Sequence, residues 1–251
     1  MPAIGLVLAL VIGGTLGLFG GGGSILTVPI FVYVLGYDPK LAIAMSFPVV
    51  GATSLVGAVG HWRAGNVRLS TTILFGLVAM AGSFSGARLS KFLDSRVQLA
   101  ILGIAMAAAA LTMLRSATRE ATAVAPAPGK ASRALYLVAL GVGALTGVIG
   151  IGGGFLIVPA LVVFGQVPMR QAVGTSLLVI AMNSVSGYAG QRNPQPIPWN
   201  FVITFTAVAI VGIIAGTVFA TRVPQRTLKK GFAVLLLVIA TVVLWQNRSL
   251  L

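Results

Sequence analysis

The chain has 251 residues, 57% of them hydrophobic and only 8% charged, with a mean hydropathy of +1.03. Soluble domains carry about 25% charged residues, so this chain lacks the polar surface to cover a globule in water, and its long apolar runs indicate a polytopic helical membrane protein. Its 17 basic residues against 3 acidic ones sit singly or in small groups between those runs, which speaks against nucleic acid as a partner, and zero cysteines exclude disulfides, thiolate metal sites and thiol catalysis.

Residues 4–19 form the first apolar run. No Lys or Arg precedes it, so it reads as a retained helix rather than a signal peptide. Gly20 to Gly23 breaks it, and residues 25–35 make a second run, too short to cross a bilayer upright. The turn signal Gly36-Tyr37-Asp38-Pro39 follows. Spans are expected at 41–60, 71–89 and 97–114, with basic loops between them. Residues 116–133, rich in Pro, Gly and charge, form a solvated linker. The order then repeats: an apolar run at 134–149, a break at Gly150 to Gly154, a short run at 155–164, and spans near 171–190, 201–220 and 231–245.

The repeat is visible residue by residue. G-L-F-G-G-G-G-S-I-L-T-V-P from Gly17 returns as G-V-I-G-I-G-G-G-F-L-I-V-P from Gly147, an offset of 147 − 17 = 130. The same offset pairs Ala42 with Ala172, Ser46 with Ser176, Ser54 with Ser184, Gly82 with Gly212 and Gly86 with Gly216. The units are residues 1–115 and 134–251, joined by a linker at 116–133.

Charge chooses between two topologies. If each broken segment is a hairpin that enters and leaves on one side, followed by three full spans, the linker face collects 11 basic residues and the other face 6. If each broken segment makes a single crossing, the split is 9 to 8 and orients nothing. The positive-inside rule favours the first, with the linker cytoplasmic and both termini outside. Units with an odd number of crossings must be inverted relative to each other, which brings both glycine breaks to membrane depth from opposite faces.

Backbone N–H and C=O groups freed by a break at that depth survive only inside protein or beside a watery cavity. The N–H groups near Gly22, Gly23 and Ser24, and near Gly152, Gly153 and Gly154, lie at the positive ends of short helices, where an anion is held without a cationic side chain. Close helix packing is the competing account of the glycines. Ser46 and Ser176, with Ser54 and Ser184 eight residues later on roughly the same faces, either line such a cavity or make interhelical hydrogen bonds. Thr53, Thr175, Asn183 and Ser186 stand near them. No Lys-Ser or Lys-Thr follows the glycines, so a P-loop is absent, and no strand or ribose-binding acid points to a dinucleotide fold. Asp38, Asp94 and Glu120, the only acids, fall in expected loops, which argues against a carboxylate-coupled cation pump. His61, the single histidine, is expected to anchor a helix end at the interface beside Trp62 and Arg63. Gly82-x-x-x-Gly86 and Gly212-x-x-x-Gly216 read as close-packing faces, either within one chain or between the copies of a homodimer.

The two glycine signatures, the first with Ala44-Met45-Ser46 and the second with Gln171-Ala172-Val173-Gly174-Thr175-Ser176, resemble the paired signatures of the TauE/SafE sulfite exporter family, and the resemblance covers both halves. It implies transport of sulfur-containing anions such as sulfite or sulfonates. A departure is Ser24, which stands where the second half has Gly154.

The expectation is therefore an all-α integral membrane protein of two inverted repeats, each a glycine-broken re-entrant hairpin of two short helices plus three transmembrane helices. It works by alternating access in the inner membrane, without a cofactor and not as an enzyme. The small anionic substrate is held by Gly22, Gly23, Ser24, Gly152, Gly153, Gly154, Ser46, Ser176, Thr175, Ser54, Ser184 and Asn183. Competing readings are a permease or channel for another small solute and a non-transporting membrane assembly factor.

Overall fold

The structure, a computed structural model, describes residues 3–119, 133–149, 154–191 and 196–246. All regular structure among them is helical: α1 (Ala3–Phe19), α2 (Gly22–Pro29), α3 (Pro39–Arg63), α4 (Leu69–Leu89), α5 (Ser95–Arg119), α6 (Arg133–Ile149), α7 (Gly154–Pro159), α8 (Met169–Gly190), α9 (Trp199–Ala220) and α10 (Gln225–Gln246). Six of these, α3, α4, α5, α8, α9 and α10, are long and apolar enough to cross a membrane. Large apolar side chains such as Leu137, Ile203 and Val211 face outward from the bundle, as a lipid-facing surface requires.

Two local features recur in both halves. Pro29 and Pro159 have no N–H to donate, and past each the chain widens into a π-helix, Ile30–Val34 and Ala160–Phe164. Each widened turn closes with an i→i+5 bond, Leu35 N–H to the Ile30 carbonyl at 3.0 Å and Gly165 N–H to that of Ala160 at 3.1 Å. The turn that follows needs a left-handed residue. Gly36 takes it at φ +72°, but its counterpart is Gln166 at φ 50°. A side chain there is strained, so Gln166→Gly is expected to raise thermal stability, by up to ~1 kcal/mol.

The first hairpin turns at Gly20, φ +70°. α2 then folds back along α1: a Cβ at Gly23 would strike the Ile12 carbonyl oxygen and lie 2.7 Å from Leu16 Cβ. The return leg ends with Leu35 beside Gly5, near where α1 began. An edge-to-face aromatic group, Phe31 with Phe201 and Phe205, clamps it to α9. α3 begins at the same end, capped by the Asp38 carboxylate, which accepts from the Lys40 and Leu41 amides, with Pro39 in the first turn.

The halves interlock. α1 packs on α9 along Gly13, Gly17, Gly212 and Gly216, and α4 packs on α6 along Gly82, Gly86, Gly143 and Gly147. At these glycines the backbone of one helix lies where a Cβ of the other would be. Both glycine pairs expected from sequence are therefore spent on contacts within one chain. Gly13 and Gly143 complete the motif on the opposing helices, a pairing of partners that the sequence reading does not reach.

Register gives direction. Phe47 meets Gly187, Ser184 meets Gly51, Leu177 meets Gly57 and His61 meets Gly174, so α3 and its counterpart α8 run antiparallel. α8 runs parallel to α4, with Met182 on Gly76 and Ala87 at Gly190, while α9 runs parallel to α3, with Ile213 at Gly57 and Thr217 at Gly60. The second hairpin, α6 with α7, thus enters the bundle from the end opposite the first. α1 starts and α10 finishes at the Lys40 end, and α5 and α6 meet the linker at the His61 end.

Charged residues lie deeper in helices than expected. Lys40 Nζ donates to the carbonyls of Ser90 and Leu93 at 3.0 and 2.8 Å. Its counterpart Arg170 donates through one terminal nitrogen to those of Thr221 and Val223 at 3.0 and 3.2 Å. Each donates to the C-cap carbonyl and to one in the turn beyond it, after α4 and α9 respectively. Read from sequence as loop charges, they are structural caps.

Candidate functional site

The two glycine breaks touch. A Cβ at Gly21 would strike the carbonyl of Gly154, and one at Gly154 would lie 2.8 Å from Gly21 Cα and 2.9 Å from Ser24 Oγ. α2 begins at Gly22 with no side chain capping it, which leaves its first-turn N–H groups without partners in the helix itself. Gly152 and Gly153 lie outside the described residues. Around this contact the Ser176 hydroxyl donates to the carbonyls of Gly20 and Val173, both at 2.8 Å, and Ser24 donates to the Gly21 carbonyl at 2.7 Å. Ser176 thus ties α8 to the tip of the first hairpin.

The remaining expected residues separate by position. Ser46 donates to the Ile43 carbonyl at 2.7 Å, and Thr175 accepts from the backbone N–H of Arg68 at 3.0 Å. Thr53 is satisfied by its own helix through the Val49 carbonyl at 2.6 Å, and Ser186 by the Met80 carbonyl of α4 at 2.7 Å. Gly22 packs on Leu235 and Phe19. Gly23 is wedged against α1, so it is a packing glycine of the hairpin.

Ser54, Asn183 and Ser184 are different. They are buried near the middle of α3 and α8, with Ser184 against Gly51. The hydroxyls of Ser54 and Ser184, and both polar atoms of the Asn183 amide, have no hydrogen-bond partner. A buried polar atom left so destabilises a fold by about 1–3 kcal/mol, so four of them near the middle of two adjacent helices call for an explanation. The offset of 130 residues puts Asn183 opposite Thr53, so the two halves differ at this point: one residue satisfies itself and the other cannot.

His61 is a correction to the sequence reading. It is 2% exposed, not an interfacial anchor. Its Nε2–H donates to the Gly17 carbonyl at 3.1 Å near the hairpin tip, and Gly174 of α8 leaves room for its Cβ. The neighbouring Trp62 is the exposed one.

A bundle of apolar helices, six of them long and apolar enough to span a membrane, with two touching helix breaks, has the architecture of a polytopic membrane protein. A family model described as "Sulfite exporter TauE/SafE" matches residues 5–243. The chain belongs to that family. A "Probable membrane transporter protein" of Xylella fastidiosa is 33% identical over 245 residues, covering 94% of this chain and 92% of the relative. The "Probable membrane transporter protein YdhB" of Bacillus subtilis is 26% identical over 216 residues, 85% of this chain and 88% of its own. A further probable membrane transporter, from Methanocaldococcus jannaschii, is 28% identical over 204 residues, 79% and 75% of the two chains. No solved structure gives a significant match.

Proposed function

We propose that this transporter carries small sulfur-containing oxyanions, sulfite or an organosulfonate, outward across the inner membrane by alternating access. The observation that carries the reading is the buried polar centre of Ser54, Asn183 and Ser184, whose side-chain atoms lack partners within the protein. Hydroxyls and an amide N–H suit an oxyanion, and the Asn183 Oδ1 suits a hydrogen-bearing one such as hydrogensulfite. The touching breaks at Gly21 and Gly154 add backbone N–H groups elsewhere on the path, with Ser46, Thr175 and Ser176 fixing the surrounding helices. Among the described residues no carboxylate faces this centre, which favours an anion over a cation.

The antiparallel register of α3 and α8 supports halves inserted in opposite senses, so that rocking one against the other exposes the centre to each side in turn. The His61 end, carrying Arg63, Arg68, Arg170, Arg222 and Arg226, then faces the cytoplasm.

The test is flux of labelled sulfite and sulfoacetate in proteoliposomes, with and without an imposed pH gradient. Saturable flux competed by unlabelled anion is the expected result. No flux of either, from protein shown to be folded, would remove the substrate assignment.

A further inference from the structure

At the His61 end a small cavity opens between the first hairpin, the start of α8 and the turn from α9 to α10. Leu18, His61, Asn66, Arg170, Val173 and Thr221 contribute to its wall. Two buried polar atoms of its lining have no partner: Nδ1 of His61 and Nε of Arg170. The His61 nitrogen that faces the Gly17 carbonyl must carry the ring hydrogen, so in neutral imidazole Nδ1 holds the lone pair. Arg170 uses a terminal nitrogen on the Thr221 and Val223 carbonyls of the turn after α9, which leaves its Nε–H without an acceptor. The cavity admits one atom of about water size, enough for a halide ion or a single oxygen of an oxyanion.

The surroundings are cationic. Arg170, on α8, lines the cavity together with His61. Arg68, in the loop after α3, is engaged through its Nε–H with the Gln171 side chain. Lys229 is buried in α10 beside the cavity residue Leu228, and Arg63 and Arg222 are exposed nearby. α1 and α9 bring no charged side chain. Among the described residues Asp38 and Asp94 lie at the opposite end of the bundle. A proton on Nδ1 would therefore stand unpaired beside Arg170, unless an anion came with it.

Duplication supplies an internal comparison. Across the 130-residue offset His61 is matched by Gln191 and Arg170 by Lys40. Both ends share the cationic helix cap, but only one end has an imidazole, a side chain that can take up a proton.

We propose that this cavity is a proton-and-anion site. His61 takes a proton from water at Nδ1 as a small inorganic anion enters, and the anion accepts from Nδ1–H and from Arg170 Nε–H. The inference rests on the transporter reading but deepens it: proton and anion would bind together at one end, beside the tip of the hairpin.

The test uses the purified full-length protein with chloride and with sulfate, neither of which changes protonation across the range in which imidazole titrates. Binding is followed by calorimetry as a function of pH, and proton uptake by an indicator dye in weak buffer. The wild type is expected to take up about one proton per anion bound, with affinity rising about tenfold per unit fall in pH through that range. His61→Gln, which installs the residue found at the other end, should abolish both the uptake and the pH slope. Arg170→Lys, which keeps the cap chemistry of Lys40 but removes the Nε donor, should weaken binding about tenfold to a hundredfold, the worth of one hydrogen bond to a charged group. Unchanged proton uptake in His61→Gln, or binding of neither anion by folded wild-type protein, would overturn the proposal. These readouts need no flux, so protein that carries no sulfite can pass this test and protein that carries it can fail.

Discussion

Asn183→Thr is expected to leave the protein folded and at least as heat-stable as the wild type, while anion flux falls by about tenfold to a hundredfold, the worth of one hydrogen bond to a charged ligand. The substitution is taken from the molecule itself. At the matching position of α3, Thr53 donates to the Val49 carbonyl one turn back and leaves nothing unsatisfied. A threonine at 183 can do the same with the Val179 carbonyl, so two buried partnerless atoms disappear and stability should not suffer. If Asn183 were only packing, removing it would change the melting temperature and leave flux alone. Asn183→Asp sharpens the result. A carboxylate at this position repels an anion, and flux should be lost more completely than with threonine. Flux equal to wild type in Asn183→Thr, with stability reduced, would sink the assignment of the centre as the substrate site.

The sequence carries the architecture further than the site. Run length, glycine breaks and the 130-residue repeat identify the broken hairpins and the six long helices, because lipid tolerates few alternatives for an apolar run. Apolar runs alone place the helix ends too far inward. The span expected from 231 begins at Gln225, and those expected from 41 and 171 begin at Pro39 and Met169. In each case charged side chains in the first turns read as loop residues, although Lys40 and Arg170 reach back to cap neighbouring helices and long basic side chains readily extend towards water. The glycine runs mix two roles that sequence cannot separate. Gly23 is closed off by Ile12 and Leu16, whereas Gly21 meets the other half at Gly154. A bulky residue at Gly23 would accordingly disrupt the hairpin itself, so it makes a poor test of ligand binding. Asn183 is visible as a polar residue in an apolar span. That its amide has no partner, while Thr53 has one, depends on rotamer and on neighbours from α4 and α3, and no spacing rule encodes it.

Gly86→Leu should abolish folding of the monomer, with a destabilisation of ~3 kcal/mol or more. Even a Cβ at Gly86 would strike the carbonyl oxygen of Ala144 and lie 3.0 Å from Val148 N, so it is backbone that would have to move. Gly82, Gly143 and Gly147 are closed in the same way, and α4 and α6 approach along the whole row. A leucine pushes them apart and removes the close dispersion contacts that hold membrane helices together, where no hydrophobic driving force replaces them. Gly216→Leu should do the same to α1 and α9. Gly141 is the control. It lies on α6 with nothing within 4 Å of the position its Cβ would take, and Gly141→Ala should stabilise the helix by up to ~1 kcal/mol through propensity alone. The measurements are the yield of monodisperse protein and the melting temperature in detergent. Because these glycines join helices of one chain, damage must appear as loss of the folded monomer. Gly86→Leu protein that melted normally but changed its oligomeric state would instead place the glycine face between copies, and the α4–α6 contact would have to be abandoned.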